Sequence, residues 1–135
     1  MLNLHRTWEG LAQLSLTCEH SGVSVTLPVI VDTGAAISLL DRGKLESAGV
    51  VLGEPVQEHR MIGTGGPEYS TSYLLDLVHI GDEIQVFGFA PHVGPAHFGR
   101  DLGGLLGLDF LRLTGAIIDL RRWTIDFEPA VQSPG

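Results

Sequence analysis

Asp32 stands apart from the other acidic residues because of its position in the chain. It directly follows the β-branched run 29–31, and Thr33 and Gly34 come directly after it. Such a run is typical of a strand buried on both faces, and an ionisable group at its end is costly unless it is paired or functional. Thr33 can hydrogen-bond within the turn, and Gly34 lets the backbone approach a ligand or another chain closely. Alone, the tripeptide also fits a simple Asx-turn.

Two further segments follow this tripeptide in order. Residues 61–66 read Met-Ile-Gly-Thr-Gly-Gly, and residues 105–111 read Leu-Leu-Gly-Leu-Asp-Phe-Leu. The ordered set resembles the retropepsin-like aspartic proteases, the single-domain relatives of retroviral proteases. In that family an apolar strand ends in Asp-Thr-Gly-Ala, and a glycine-rich hairpin forms a flap over the substrate. Two apolar residues and a glycine then precede a short helix. The resemblance implies an all-β fold with one or two short helices, a closed β-barrel of acid-protease type with one lobe per chain.

Peptide hydrolysis by this route needs two carboxylates around one water. Two like charges so close cannot both ionise easily, so the pair shares a proton. One carboxylate is the general base for the water, and the other is the acid that polarises the scissile carbonyl. The chain holds a single Asp-Thr-Gly, and Asp109, Asp119 and Asp126 are each followed by a bulky apolar residue. We therefore expect a homodimeric aspartic endopeptidase with Asp32 from each subunit, active at acidic to mildly acidic pH.

The resemblance also assigns roles around the catalytic Asp32. Thr33 of each chain would hydrogen-bond across the two-fold axis, and Gly34 would contact the substrate backbone through its carbonyl. Residues 62–66 would form the flap tip, although alone they also fit a plain hairpin turn. The predicted substrate-binding residues are Ala35, Ala36, Ile62, Gly63, Thr64, Gly65 and Leu105.

Two other functions remain open at this stage. Ala36 stands where many members of the family carry a polar residue, which leaves room for a dimerisation or peptide-binding module with little or no proteolysis. A metal-dependent hydrolase would use His92, His97 and Asp101, which share the segment 91–104. Their spacing matches no standard zinc motif, so we expect no metal and no other cofactor.

Composition excludes several partners. The chain has 135 residues, with 16 acidic and 8 basic side chains and a net charge of −8. No cluster of Lys and Arg is available to bind nucleic acid. The apolar runs are too short to span a membrane, and the first residues do not form a signal peptide. We expect a cytoplasmic protein unless the chain is part of a longer one. The single cysteine, Cys18, fits a small strand residue.

Alternating apolar and polar residues predict strand after strand. The predicted strands are 11–18, 23–27, 29–31, two strands within 57–80, 83–90, 105–107, 116–120 and 123–127. Pro28 is expected to interrupt the second hairpin strand, and residues 91–104 are expected to form a loop. Two short helices are predicted, 41–48 and 108–114, each ending at a glycine.

The predicted organisation has three parts. Residues 1–10 form an N-terminal segment, residues 11–127 the protease domain, and residues 128–135 a flexible tail. In the related viral enzymes the termini of the two subunits interleave. The paired strands at 116–127 are longer than a simple interface strand, so they are an alternative dimer interface.

Overall fold

Strands dominate the computed structural model, which describes residues 1–63, 66–95 and 101–129. The strands of the described residues are β1 (Leu2–Asn3), β2 (His5–Arg6), β3 (Ala12–His20), β4 (Val23–Val31), β5 (Leu39–Asp41), β6 (Pro55–Gly63), β7 (Gly66–Tyr73), β8 (Leu77–Ile80), β9 (Ile84–Phe87), β10 (His92–Gly94), β11 (Gly104–Leu106), β12 (Ala116–Asp119) and β13 (Thr124–Phe127). The helices are α1 (Arg42–Ser47) and α2 (Leu108–Leu113). The prediction of a mainly β chain with short helices is confirmed.

The strands form one large and one small sheet. The large sheet has the order β6-β7-β10-β5-β11-β4-β3-β8-β9, with β2 added beside β3, and it curls into a half-barrel. The small sheet has the order β1-β13-β12. The core lies inside the curl, and α2 contributes Phe110 to it. Fully buried side chains include Leu16, Val29, Leu40, Val78, Leu106 and Phe110.

Pro28 does not interrupt β4, contrary to our prediction. It lies opposite Ser15 in the ladder between β3 and β4, and its carbonyl accepts from the Gly103 amide at 2.7 Å on the other side. The amide and carbonyl of a strand residue point to the same side, so the missing N–H of Pro28 faces away from β3. The ladder therefore loses no hydrogen bond, and residues 23–31 form one strand.

Two other predicted segments also differ from the structure. The region 57–80 contains three strands rather than two, because β7 ends at Tyr73 and residues 74–76 separate it from β8. The predicted loop 91–104 contains β10, in which Val93 is buried between β5 and β7, and the first residue of β11. A three-residue strand is too short to show periodicity, so the sequence pattern did not reveal β10. Residues 96–100 of this segment lie outside the described residues.

The two ends of the chain pair with the body of the fold. In the N-terminal segment, β1 pairs with β13 and β2 pairs with β3, so residues 1–10 contribute to both sheets. At the other end, the Glu128 amide donates to the Gly115 carbonyl at 3.0 Å. Residues 130–135 of the predicted tail lie outside the described residues.

Both predicted helices are present, and their ends have the expected chemistry. Asp41 precedes α1 and accepts a hydrogen bond from the Gly43 amide at 3.1 Å. Gly49 and Gly115 follow the two helices with φ of 91° and 59°, a conformation that glycine adopts without strain. No helix among the described residues has the length and apolar character needed to cross a membrane.

Cys18 provides a test of the core. It lies in β3 between Val25 and Val78, and burial raises the pKa of its thiol to about 12. The thiolate is the reactive form, so at pH 8 the native protein should not react with an aromatic disulfide reagent. The same protein in urea should release one equivalent of chromophore. Stoichiometric labelling of the native protein within minutes would contradict this burial.

Candidate active site

Asp32 lies where β4 leaves the sheet. Its amide donates to the Leu106 carbonyl at 2.9 Å, which continues the parallel pairing of β4 with β11. One carboxylate oxygen, Oδ1, accepts from the Gly34 amide at 2.9 Å. The Asx-type bond that the tripeptide allowed is therefore present. Among the described residues this is the only hydrogen bond to the carboxylate, so Oδ2 is left for another partner. Thr33 and Gly34 are exposed beside it.

The segment after Asp32 packs directly against the backbone that follows β11. The amides of Leu108 and Asp109 donate to the carbonyls of Ala35 and Ala36 at 2.8 and 3.2 Å. At Gly107 a Cβ atom would lie 2.5 Å from the Ile37 carbonyl oxygen and 2.7 Å from that of Ala35. Only glycine permits this approach. The apolar-apolar-glycine motif therefore serves to bring two backbone segments together beneath Asp32.

Asp109 links the segment 35–38 to the segment 107–110, a contact that we call the Asp109 junction. The sequence did not reveal this role. Its two carboxylate oxygens accept from the Ser38 hydroxyl at 2.6 Å and the Ser38 amide at 3.0 Å. The Phe110 amide donates to the same carboxylate at 2.7 Å, and the Gly107 amide donates to the buried Ser38 hydroxyl at 2.9 Å. The sequence excludes Asp109 as a second catalytic aspartate, because Phe110 follows it, and suggests no other role for it. The available signal was Ser38, a lone polar residue within the apolar stretch 35–40.

The predicted flap corresponds to the hairpin of β6 and β7. The two strands pair from Pro55 opposite Tyr73 to Gly63 opposite Gly66. Among the described residues, β7 pairs with β10 through Thr71 and Ser72 alone, so the rest of the described hairpin extends beyond β10. The structure places Ile62 and Gly63 at the end of β6. Thr64 and Gly65 lie outside the described residues.

A short polar chain links the base of this hairpin to the segment after Asp32. The Ser70 hydroxyl shares a 2.5 Å hydrogen bond with Nδ1 of His92, which is buried in β10. The His92 amide in turn donates to the Ser38 carbonyl at 3.0 Å. The hairpin base, β10 and the Asp109 junction are thus connected through hydrogen bonds.

The other predicted residues fall in two groups. Leu105 lies half-buried in β11, beside Ile30 and Leu39. Of the residues in the metal hypothesis, His92 is buried and bonded to Ser70, Asp101 is exposed, and His97 lies outside the described residues. In the part of the chain that the structure describes, no group of three or more His, Cys, Asp or Glu residues could hold a metal ion.

Comparison with known proteins decides the family. The profile of the aspartyl protease family matches residues 16–110, which include Asp32 and the Asp109 junction. The chain belongs to this family. The resemblance to the retropepsin-like aspartic proteases is therefore confirmed at the level of the family. A comparison with curated proteins found no match.

Two solved structures share the fold of this member of the aspartyl protease family. One is a retropepsin-like aspartic protease from Rickettsia conorii, with a TM-score of 0.61 and 24% identity over 86% of this chain and 90% of that chain. The other is EIAV protease complexed with the inhibitor HBY-793, with a TM-score of 0.62 and 20% identity over 87% of this chain and 100% of that chain. The predicted retropepsin-like fold, with one lobe per chain, is confirmed.

Asp109→Asn tests the junction between the segment after Asp32 and the start of α2. The substitution replaces one acceptor oxygen by an amide donor, which would face the Ser38 or the Phe110 amide. Loss of charge-assisted hydrogen bonds at this partly buried site should lower the free energy of unfolding by about 1.5–3 kcal/mol. Urea denaturation measures the change.

Asp82→Asn is the matched control for this prediction. Asp82 is exposed in the turn between β8 and β9, and its side chain makes no hydrogen bond with the described residues. Its substitution should change the free energy of unfolding by less than about 0.5 kcal/mol. Equal effects of the two substitutions would show that Asp109 does not stabilise the junction.

Proposed function

We propose that this chain is a homodimeric aspartic endopeptidase in which each subunit supplies one Asp32 carboxylate. The observation that carries the proposal is the single Asp-Thr-Gly of an aspartyl protease family member, with its carboxylate at the end of β4 and Oδ2 without a partner among the described residues. A single-lobe chain with one such aspartate can form a pair only with a second copy. Single-lobe retropepsin-like proteases act as dimers on peptide substrates, which supports this assignment.

In the proposed reaction, a water lies between the two Asp32 carboxylates. The ionised carboxylate takes a proton from the water as the water oxygen attacks the scissile carbonyl carbon. The protonated carboxylate donates its proton to the carbonyl oxygen. The carboxylate that took the proton from the water then donates it to the leaving nitrogen, and the other carboxylate takes a hydroxyl proton from the tetrahedral species as the C–N bond breaks, which gives a carboxylic acid and an amine. No covalent enzyme intermediate forms, and the pair returns to its shared-proton state.

The hydrogen bonds around Asp32 suit this role. The Gly34 amide orients Oδ1, and the Asp109 junction holds the loop that carries both residues. Acidic to mildly acidic conditions favour the reaction, because the pair must keep one proton to act as base and acid together.

The peptide would bind as an extended strand between the flap hairpin and the Asp32 loop. Thr33 would hydrogen-bond across the two-fold axis, and the Gly34 carbonyl would accept from the peptide backbone. Ala35, Ala36 and Leu105 would line the near side, and the end of β6 at residues 62–63 would lie across the peptide from them. These residues are small or apolar, so we propose that the enzyme prefers apolar side chains next to the cleaved bond.

Mixing wild-type protein with the Asp32→Asn variant tests the shared site. The two proteins are combined at fixed total concentration and allowed to exchange subunits, and cleavage of an unstructured peptide library is followed by mass spectrometry. If both carboxylates are needed, activity follows the square of the wild-type fraction. An equal mixture should retain about one quarter of the activity, whereas independent subunits would retain about one half.

The pure Asp32→Asn protein is the second arm of this experiment. It should dimerise and unfold like the wild type, yet lose at least about a thousandfold in kcat/KM. A variant that cleaves as well as the wild type would overturn the proposal. A wild-type dimer that binds a statine-type peptide but cleaves no peptide would instead indicate the peptide-binding module.

A further inference from the structure

The end of the large sheet that carries Asp32 also carries one exposed feature on each side of it. On the β3 side, Gln13 lies opposite Ile30, so the turn of residues 7–11, which joins β2 to β3, lies beside Asp32. On the β11 side, Leu106 lies beside Val31, so α2 begins at the same end of the sheet. Asp32 therefore sits between the turn and the helix.

The turn of residues 7–11 presents a tryptophan to solvent. The Thr7 amide donates to the Leu11 carbonyl and the Gly10 amide to the Thr7 carbonyl, both at 2.9 Å. The Leu11 amide donates to the Thr7 hydroxyl at 3.0 Å. Trp8 is 95% exposed in this closed turn, and the neighbouring Glu9 is exposed as well. Large aromatic residues held in this way are favoured at protein interfaces, since little backbone entropy is lost when they bind.

On the other side of Asp32 lies an open hollow whose lining is mixed, with apolar side chains beside one cation. It has a volume of about 560 Å³ and is lined by Ala36, Leu108, Asp109, Arg112 and Leu113. Leu108 and Leu113 are 39% and 51% exposed. Asp109 is already bonded to Ser38, whereas Arg112 is exposed and forms no ion pair within the described part of the chain. The hollow could accept an aromatic ring together with a carboxylate.

A two-fold axis that brings two Asp32 residues together exchanges the two sides of the sheet end. The turn of one subunit would then face the hollow of the other. We infer that Trp8 docks into the hollow of the partner subunit, with Glu9 opposite Arg112 of the partner subunit. The contact occurs twice in each dimer and lies next to Ala36, so each subunit would close the outer wall of the other subunit's substrate cleft.

Local charge complementarity supports a second copy of this chain as the occupant. Each subunit has a net charge of −8, so two subunits repel unless opposite charges meet locally. The pairing of Glu9 with Arg112 brings such charges together at both contacts. The guanidinium can also lie over the indole face of Trp8, which adds a favourable cation–π interaction.

The first experiment measures the dimer dissociation constant by sedimentation equilibrium. Trp8→Ala should raise this constant at least about tenfold, as expected for a buried tryptophan at an interface. Phe87→Ala is the matched control, because Phe87 is 74% exposed on β9, an edge strand of the large sheet. Its substitution should change the constant less than about twofold. Equal effects of the two substitutions would overturn the inference.

A charge exchange tests the polar part of the contact. Glu9→Arg and Arg112→Glu should each raise the dimer dissociation constant by about fivefold or more, since each places like charges opposite one another. The double variant restores an opposite pair, so its constant should return to within about threefold of the wild-type value. If the effects of the two substitutions simply multiply, Glu9 and Arg112 do not meet.

This inference rests on the proposed homodimer, and the measurements separate the two. A wild-type protein that stays monomeric at every concentration overturns both. If the wild type dimerises and mixtures with Asp32→Asn follow the square law, the proposed function stands by itself. If Trp8→Ala then raises KM without changing the dimer dissociation constant, Trp8 contacts the peptide, and the inference alone is overturned.

Discussion

The close approach of two backbone segments beneath Asp32 is the constraint on which the rest of the site depends. The loop 32–38 leaves β4 and crosses the chain that runs from β11 into α2. Gly107 allows the two backbones to touch, and the Asp109 carboxylate joins them through the Ser38 amide and hydroxyl. A carboxylate that accepts several charge-assisted bonds at a partly buried site is strong enough to hold an irregular loop in one conformation.

The junction depends on the parallel pairing of β4 with β11 at the centre of the large sheet. Two neighbouring parallel strands have their C-terminal ends at the same end of the sheet, so Asp32 and the start of α2 lie close together there. The turn of residues 7–11 lies at the same end of the sheet, on the β3 side. Asp32 therefore lies between two exposed features of the fold, which is the arrangement that the proposed homodimer would use.

The hairpin of β6 and β7 is connected to the same framework through its base. Its base is held by the pairing of β7 with β10 and by the hydrogen bond between Ser70 and the buried His92. His92 reaches the Ser38 carbonyl through its amide. The base of the hairpin and the loop around Asp32 are therefore positioned by one hydrogen-bonded framework.

Local sequence determined much of this protein. The apolar run before Asp32, the alternation in β3 and β4, and the glycines after α1 and α2 act within a few residues, so the positions of these two strands, both helix ends and the family could be predicted. Tertiary structure decided what depends on distant partners. Pro28 stays in β4 because its nitrogen, which carries no proton, faces away from β3. Val93 forms part of β10 because β5 and β7 lie on either side of it. Ser38 and Asp109 are 71 residues apart in sequence, and Trp8 and Arg112 take their places beside Asp32 only through the strand order. Hydrogen bonds and packing across such separations leave no periodic pattern in the chain, and for that reason only the folded arrangement shows them.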